Sequence, residues 1–310
     1  AGKEVIVSRG ELVEIGGSFR IPDIMRESGA ILVEVGTTNR TRLSDYEQAI
    51  NENTAAILKV HPSNYVIEGF TESVEISKLV KLAKARGLYC LHDWGSGTFY
   101  QFEQKALQNY PTVQQEIQKR ADIICFSADK LLGAVQGGII LGSKAAIEKM
   151  RKHPLYRVLR ADKVTLGLLE SVLEACFEPE SLKEKVTSIR LLERTPEEIR
   201  AQATQMLDKF FPESDSGWIV RIEETDSRTG GGALPELPLP SSAMVISHPR
   251  YKAQEIQNWL RSQSIPVIVR VQTESVWFDF RTVFEEDEKV LSETLRLMLK
   301  SSILEQAEET

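Results

Sequence analysis

The sequence predicts an α/β fold in which a large domain with a mostly parallel sheet precedes a smaller α+β domain. Apolar runs typical of strands alternate with helical patterns in the first half, and further strand-like runs follow in the second. A hydrophobic content of 42% in 310 residues can form a substantial core and favours two domains. We expect the large domain over residues 1–165, and a connecting helix with the small C-terminal domain over residues 166–310.

The large domain contains apolar runs that predict strands, each bounded by polar or glycine-containing segments. These runs lie at residues 4–7, 30–35, 55–60, 88–92, 122–126 and 138–141. Helical patterns over 72–86 and 113–120 separate some of them. Such alternation is typical of parallel strands.

The C-terminal part begins with an amphipathic connecting helix over residues 163–176, and a second helical pattern covers 196–211. The predicted strands of this part lie at residues 218–223, 243–247, 266–271 and 275–281. Residues 230–240 are rich in glycine and proline and predict a loop.

Lys130 follows the apolar run 122–126 and precedes a turn that contains Gly133 and Gly137. A lysine that forms an imine with pyridoxal phosphate (PLP) needs a short, anchored and partly desolvated segment of this kind. Ser127 lies three residues earlier, where its hydroxyl could reach the cofactor phosphate. The alternative is an ordinary surface lysine in a turn.

Asp93 stands at the end of the apolar run 88–92 and is followed by a Gly-Ser-Gly loop. The carboxyl ends of interior strands are where α/β sheets place groups that contact ligands. In a PLP site this carboxylate would pair with the protonated pyridine nitrogen, and otherwise Asp93 caps a turn. Because Lys130 follows one helix and one strand later, we favour the cofactor hypothesis. By strand alternation His92 should face away from Asp93. His61 and Asn64, at the end of the strand 55–60, are weaker candidates for active-site residues.

Several longer motifs occur in order along the chain: RGELVEIGGSFRIPD from Arg9, VGTTNRT from Val35, HPSNY from His61 with GFT from Gly69, the Lys130 segment, GGGALP at 230–235 and FDFRTV at 278–283. Together they resemble the bacterial selenocysteine synthases, the L-seryl-tRNA(Sec) selenium transferases, over nearly the whole chain. The resemblance implies the large domain of a fold-type-I PLP-dependent transferase. It also implies conversion of L-seryl-tRNA(Sec) to L-selenocysteinyl-tRNA(Sec), with selenophosphate as donor, by β-elimination of water and addition of selenium.

The same resemblance assigns roles to individual residues. Lys130 is then the cofactor lysine and the proton shuttle, with Asp93 and Ser127 as cofactor ligands, and Asp129 matches an active-site acid of the family. Arg157 and Arg160 match two arginines that bind the selenium donor. The sequence His153-Pro154 resembles a helix start, which would place both arginines on one helix face. The alternative is a solvated basic helix face.

The chain departs from the family pattern at Ala128, Val135 and Val269, where glycine or proline is usual, and we expect a backbone cost if Ala128 or Val269 needs a positive φ. Family members carry an N-terminal tRNA-binding domain and further active-site groups before the point that matches Ala1. We therefore expect the large, PLP-binding domain to be incomplete at its N-terminus and tRNA recognition to lie mainly in the missing region. The resemblance also implies a homodimer or a larger ring of dimers.

Composition limits the remaining possibilities. A net charge of −7 argues against a general nucleic-acid binder, and no apolar run approaches the length of a membrane span. The lack of such a run and of a secretion signal predicts a cytoplasmic protein. Cys90, Cys125 and Cys176 lack the spacing of metal ligands, so we expect no metal, and Cys90 and Cys125 fall in apolar strands as packing residues.

Two other functions stay open at this stage. One is a related PLP lyase that acts on a small amino acid or amino sugar without tRNA. Arg281 would discriminate, because it resembles the small-domain arginine that binds a free carboxylate in many PLP enzymes, which a tRNA ester lacks. The alternative is that Arg281 is an ordinary salt-bridge residue. The other is a catalytically silent fragment or scaffold without a complete cofactor site.

Overall fold

The structure, a computed structural model, describes residues 2–212, 217–229, 234 and 237–300. The chain forms two compact units, of which the first comprises Ala1–Arg190 with Thr229–Leu237 and the second comprises Leu191–Arg228 with Pro238–Thr310. The boundary therefore lies after Arg190, whereas we predicted it after residue 165. The reason is that the helix at 163–175 packs on the first unit, where Leu169, Val172 and Cys176 cover a buried aromatic and aliphatic cluster.

The first unit is built on a sheet whose strand order is β4-β1-β5-β6-β7-β8. Its neighbouring strands are parallel, except that β8 runs antiparallel to β7. This confirms the mostly parallel sheet. The strands of the unit, including a small separate hairpin of β2 and β3, are β1 (Glu4–Ser8), β2 (Glu14–Ile15), β3 (Phe19–Arg20), β4 (Ile31–Val35), β5 (Thr54–Val60), β6 (Tyr89–Gly95), β7 (Ile123–Ser127) and β8 (Gly138–Gly142).

Helices cover both faces of this sheet and continue beyond it. They are α1 (Ile21–Glu27), α2 (Leu43–Ala49), α3 (Ile76–Ala85), α4 (Val113–Gln118), α5 (Lys144–Arg151), α6 (Pro154–Val158), α7 (Lys163–Ala175), α8 (Pro179–Lys185) and α9 (Thr187–Glu193). On one face, Leu79 and Ala83 of α3 pack against Ile57 and Cys90 of the sheet. The start predicted for α3 at residue 72 is wrong, because Glu72 forms a β-bridge with Arg40 instead.

The described residues of the second unit form an antiparallel sheet of strand order β11-β12-β10-β9 and three helices. Its elements are α10 (Pro196–Phe210), β9 (Ile219–Ser227), β10 (Leu239–Ser247), α11 (Ala253–Arg261), β11 (Arg270–Gln272), β12 (Ser275–Asp279) and α12 (Glu285–Lys300). Side chains from all three helices share one apolar core with the sheet, among them Ile199, Ile256, Leu295 and Phe278. The smaller α+β domain is thus confirmed as an architecture.

Some predicted boundaries in this unit are wrong. The strand predicted at 275–281 ends at Asp279, because a 3₁₀ turn at Phe280–Thr282 follows and the Asp279 carboxylate accepts a hydrogen bond from the Arg281 N–H. The predicted loop 230–240 overlaps β10 at its end, and residues 230–233 and 235–236 lie outside the described residues. Pro240 fits in a strand because β12 pairs with β10 only from Ala243 onwards.

Neither Ala128 nor Val269 has a positive φ, so the backbone cost that we expected at these positions does not arise. Within the described residues, no helix has both the length and the apolar character needed to cross a bilayer.

Candidate active site

The candidate site lies where the parallel strands β5, β6 and β7 end side by side. Val60 of β5 is in register with Asp93 of β6, and Asp93 is in register with Cys125 of β7. Because side chains alternate along a strand, Asp93 and Cys125 project from the same face of the sheet. The backbone N–H of His61 donates to the Asp93 carbonyl (2.8 Å), which ties the end of β5 to β6.

Lys130 sits on a tight turn that is anchored on both sides. Its carbonyl accepts from the Gly133 N–H (2.9 Å), while the Ala128 N–H donates to the Gly137 carbonyl (2.8 Å). Ala128, Leu131 and Leu132 are all buried, so the lysine is held by apolar packing of its neighbours. This is the short, anchored segment that we expected from the sequence.

Gly133 is the turn residue that cannot be replaced without strain. Its φ is +71°, and a Cβ at this position would lie 2.3 Å from Ser188 Oγ and 2.5 Å from Val186 Cγ1. Both the backbone conformation and the neighbouring side chains therefore require glycine.

The Lys130 amine reaches the space above Gly95. A Cβ placed on Gly95 would lie 3.8 Å from Lys130 Nζ and 3.7 Å from Ser63 Cβ, so the missing side chain leaves room of about one methyl group between them. Lys130 is half-buried, and within the described residues Nζ has no hydrogen-bond or ion-pair partner.

Asp93 is a half-buried carboxylate beside that space. Burial raises its pKa, while the Cys125 thiol, the Lys130 amine and the Gly95 backbone N–H each act in the opposite direction. The thiol lies 3.7 Å from Oδ1. Among the described residues no arginine, lysine or histidine forms an ion pair with this carboxylate, although other buried carboxylates of the unit have one.

The neighbouring candidates divide into two groups. Burial lowers the pKa of His61, and Lys59 and Lys130 lower it further, so this imidazole lies in the field of the site. Asn64 instead donates from Nδ2 to the Glu14 carbonyl (2.7 Å) and serves the local fold. His92 faces away from Asp93 as predicted, with its Nδ1 3.5 Å from Glu116 Oε2, and burial lowers its pKa to about 3.

The residues near Lys130 fit PLP. Gly95 presents no side chain beside the Lys130 amine that would hold the cofactor, and Asp93 offers to a protonated ring nitrogen a carboxylate without an ion-pair partner among the described residues. Ser127 ends β7 with a half-buried side chain whose hydroxyl has no hydrogen-bond partner within the described residues. The same residues contain no group of three or more His, Cys, Asp or Glu side chains that could hold a metal ion.

The structure does not bring the remaining predicted residues into contact with Lys130 or Asp93. Asp129 is exposed, as are Arg157 and Arg160. The shared helix face predicted for the two arginines is wrong, because α6 ends at Val158, where the Leu159 N–H closes the last turn on the Leu155 carbonyl (2.9 Å). Arg160 therefore lies in the connection to α7.

Sequence reasoning also misjudged two residues. Arg281 is 3% exposed, and its guanidinium donates to the carbonyls of Leu191, Arg194 and Pro240, so it is a structural residue of the second unit and not a group open to a substrate carboxylate. Cys125 was expected to be a packing residue, yet its thiol contacts the Asp93 carboxylate. The contact could have been predicted from the alternation of side chains along β6 and β7, but only if the register between the two strands had been known.

The order of the sheet, and the lysine turn at its carboxyl edge, define the class: the fold is that of the fold-type-I PLP-dependent enzymes. The solved structure of a D-glucosaminate-6-phosphate ammonia-lyase shares it, with a TM-score of 0.61 and 21% identity over 96% of this chain and 71% of that one, a likeness that shows the fold alone. The family model described as SelA, L-seryl-tRNA selenium transferase, matches residues 1–284. The chain therefore belongs to the L-seryl-tRNA selenium transferase family, as its motifs indicated.

Individual relatives agree. The chain is 45% identical to the L-seryl-tRNA(Sec) selenium transferase of Aquifex aeolicus over 96% of its own length and 65% of that protein. It is 43% identical to the enzyme of the same name from Alkaliphilus metalliredigens, over 96% of its own length and 64% of that protein. The chain thus spans about 65% of the length of the curated relatives that it matches.

Proposed function

We propose that this chain carries the PLP-binding catalytic part of an L-seryl-tRNA(Sec) selenium transferase. The reaction replaces the hydroxyl of L-seryl-tRNA(Sec) by selenium from selenophosphate, through β-elimination of water and addition of selenium. The observation that carries the proposal is the meeting of the Lys130 amine, the open space over Gly95 and the unpaired Asp93 carboxylate at adjacent strand ends. Membership of the family supplies the substrate class.

Bound PLP would supply an electron sink that stabilises negative charge on the substrate's alpha carbon. Asp93 would hold the ring by accepting a hydrogen bond from its protonated nitrogen, and Gly95 places no side chain beside the Lys130 amine. The Ser127 hydroxyl, at the end of β7, would donate to the phosphate. Burial of Asp93 strengthens this pairing, because a charge-assisted hydrogen bond gains strength where water is excluded.

Lys130 has two tasks in this proposal. Its amine would hold the cofactor, and Nζ, when it is not bound to the cofactor, would remove the proton from the alpha carbon of the seryl group. Nζ would then carry that proton to the departing β-hydroxyl, either directly or through the carboxylate of Asp129, the exposed residue before it on the turn. The anchored turn keeps Nζ in place while these protons move.

Arg157 and Arg160 would bind selenophosphate. Both are exposed, and neither has an ion-pair partner within the described residues, so their guanidinium groups are available to an oxyanion. Two forks of N–H donors suit a tetrahedral oxyanion better than lysines would. They act from the α6–α7 connection and not from one helix face.

The remaining partners follow from the family and from the surface. We propose that tRNA recognition lies mainly in the additional region that the relatives possess, that the protein works as a homodimer or a ring of dimers, and that it acts in the cytoplasm where aminoacyl-tRNA is made. A cluster of exposed apolar side chains on and around α6 and α7, which we call the α6–α7 patch, supports the oligomer: Leu155, Val158, Leu159, Val164, Leu166 and Phe177.

The test is a conversion assay with seryl-tRNA(Sec), selenophosphate and PLP, in which the esterified amino acid is identified by mass. At a seryl-tRNA(Sec) concentration high enough to offset weak recognition by this part of the protein, we expect selenocysteine to form with the wild-type chain and not with Lys130→Ala. Loss of ammonia from small amino acids or amino sugars, without any conversion of seryl-tRNA(Sec), would instead support the lyase alternative. The commitment of Arg281 to backbone carbonyls argues against that alternative for free amino acids.

A further inference from the structure

Asp93 differs from the other buried carboxylates of the first unit in its partner. Glu11 pairs with Lys59, whose Nζ lies 2.5 Å from Oε1, and Glu116 pairs with Lys119 at 2.5 Å. Asp93 has no such cation among the described residues and receives a thiol instead. A carboxylate that must accept a cationic ring nitrogen cannot already be neutralised by a lysine, so a weak, uncharged donor is the suitable neighbour.

The thiol is placed by the sheet itself. Cys125 is the register partner of Asp93 across β6 and β7, and its side chain projects from the same face. Its Sγ lies 3.7 Å from Asp93 Oδ1 and 3.8 Å from the His92 carbonyl oxygen. One S–H proton can serve one acceptor at a time, and the charged carboxylate is the stronger of the two.

The thiol also keeps its proton. Burial raises the pKa of Cys125 to about 12, and the neighbouring Asp93 adds to that shift. Cys125 is therefore a neutral hydrogen-bond donor at physiological pH and not a nucleophile.

We infer that Cys125 is a positioning residue for the cofactor: its thiol hydrogen bond fixes the rotamer of Asp93, so that the other carboxylate oxygen faces the ring nitrogen of PLP. The inference deepens the proposed function and rests on it. The thiol would hold the carboxylate in one orientation before the cofactor arrives, which lowers the entropy that binding must remove.

Two substitutions at Cys125 separate positioning from packing. Cys125→Ser keeps a donor but loses the apolar sulfur, whereas Cys125→Val fills the space and removes the donor. We expect the Kd for PLP to stay within about twofold of wild type in Cys125→Ser and to rise about fivefold in Cys125→Val. If Cys125 only packs, the Kd for PLP should rise more in Cys125→Ser than in Cys125→Val. The buried serine hydroxyl would then destabilise the core, whereas valine is well accommodated in a strand.

The matched controls are Cys90→Ser and Cys90→Val. Cys90 lies on β6, but it faces the α3 core and not Asp93, so the Kd for PLP should change less than about twofold in both variants. Equal Kd values for Cys125→Val and wild type, or the reversed order, would overturn the inference alone. If the wild-type chain binds no PLP at all, the proposed function fails and the inference fails with it.

Discussion

At the scale of single residues, the site is distinguished by what its charged groups lack. The Lys59 and Lys119 amines each have a carboxylate, whereas Lys130 and Asp93 have no ion-pair partner within the described residues. Leaving a half-buried carboxylate without a cation reduces the stability of the fold, and such groups cluster at functional sites. We therefore predict that the Asp93 carboxylate favours PLP binding and at the same time lowers the stability of the apoprotein.

Asp93→Asn should weaken PLP binding and stabilise the apoprotein. Losing a charge-assisted hydrogen bond raises the Kd for PLP roughly tenfold or more. Absorbance titration with PLP checks this result. The control is Asp122→Asn, because Asp122 accepts from the Cys90 N–H at the other end of the strand and should leave the Kd within about twofold.

The stabilisation of apo Asp93→Asn should depend on pH. The folded state raises the pKa of Asp93, so a folded wild-type protein binds this proton more tightly than an unfolded one. Ionisation therefore destabilises the wild-type fold as the pH rises through and above the unfolded pKa of about 3.9. Denaturation curves should show the advantage of the variant at pH 7 and its disappearance at acid pH. If Asp93→Asn were more stable than the wild type by the same amount at every pH, the raised pKa of Asp93 would be contradicted.

At the scale of elements, the turn after β7 determines where the Lys130 amine lies. Three backbone hydrogen bonds and the buried neighbours of the lysine hold this turn, and Gly133 supplies its left-handed residue. The connection from α6 to α7 is built differently, with exposed side chains and a helix of five residues. We therefore expect substitutions in the first element to affect folding, and substitutions of the two arginines in the second to affect substrate use without loss of stability.

Gly133→Ala should destabilise the protein by about 1–3 kcal/mol, because alanine at this φ is strained and its Cβ would collide with Ser188 and Val186. Chemical denaturation of the apoprotein measures the change. Gly138→Ala is the control in the same segment, since no atom lies within 4 Å of its added Cβ. We expect that variant to change stability by less than about 0.5 kcal/mol. Equal losses in the two variants would rule out the strain as the cause.

Arg157→Ala and Arg160→Ala should leave the stability and the Kd for PLP unchanged, because both side chains are exposed and have no ion-pair partner in the described part of the chain. Each should lower the rate at limiting selenophosphate about tenfold or more, as expected for a lost charge-assisted contact. Lys152→Ala, an exposed residue on the same basic stretch, is the control. If all three variants behave alike, the arginines belong to a general basic surface.

At the scale of the whole molecule, the α6–α7 patch exposes apolar side chains for which a single copy offers no partner among the described residues. Val158, Leu159 and Phe177 are 77%, 79% and 87% exposed. Sedimentation velocity should therefore show a dimer or a larger assembly. Leu159→Glu should shift it towards the monomer, while Ile265→Glu, an exposed isoleucine in the second unit, should not. A wild-type monomer at micromolar concentration would contradict the proposed oligomer.

Much of the first unit could be predicted from the sequence because its signals are local. Apolar runs identify the strands, and the fact that parallel strands end at one edge brings Asp93 and Lys130 together. Features that depend on tertiary pairing could not be predicted. Glu72 lies before helix α3 and forms a β-bridge with Arg40, which its local sequence does not indicate. Cys125 contacts the Asp93 carboxylate only because the two residues are in register across β6 and β7.

Two further errors have the same origin. We predicted the boundary after residue 165 because we expected the helix at 163–175 to connect the two units. The apolar face of that helix instead packs against the core of the first unit. Arg281 resembled a carboxylate-binding arginine in sequence, whereas three backbone carbonyls of its own unit occupy its guanidinium. A single sequence does not show which partner a buried polar group will find.

The most direct test of the account is reduction with borohydride of the chain mixed with PLP, followed by peptide mapping. We predict a visible absorption band on mixing and a phosphopyridoxyl group attached at Lys130, with both absent in Lys130→Ala. Label at another lysine, or a band that survives in Lys130→Ala, would contradict the assignment of the amine over Gly95 as the group that holds the cofactor.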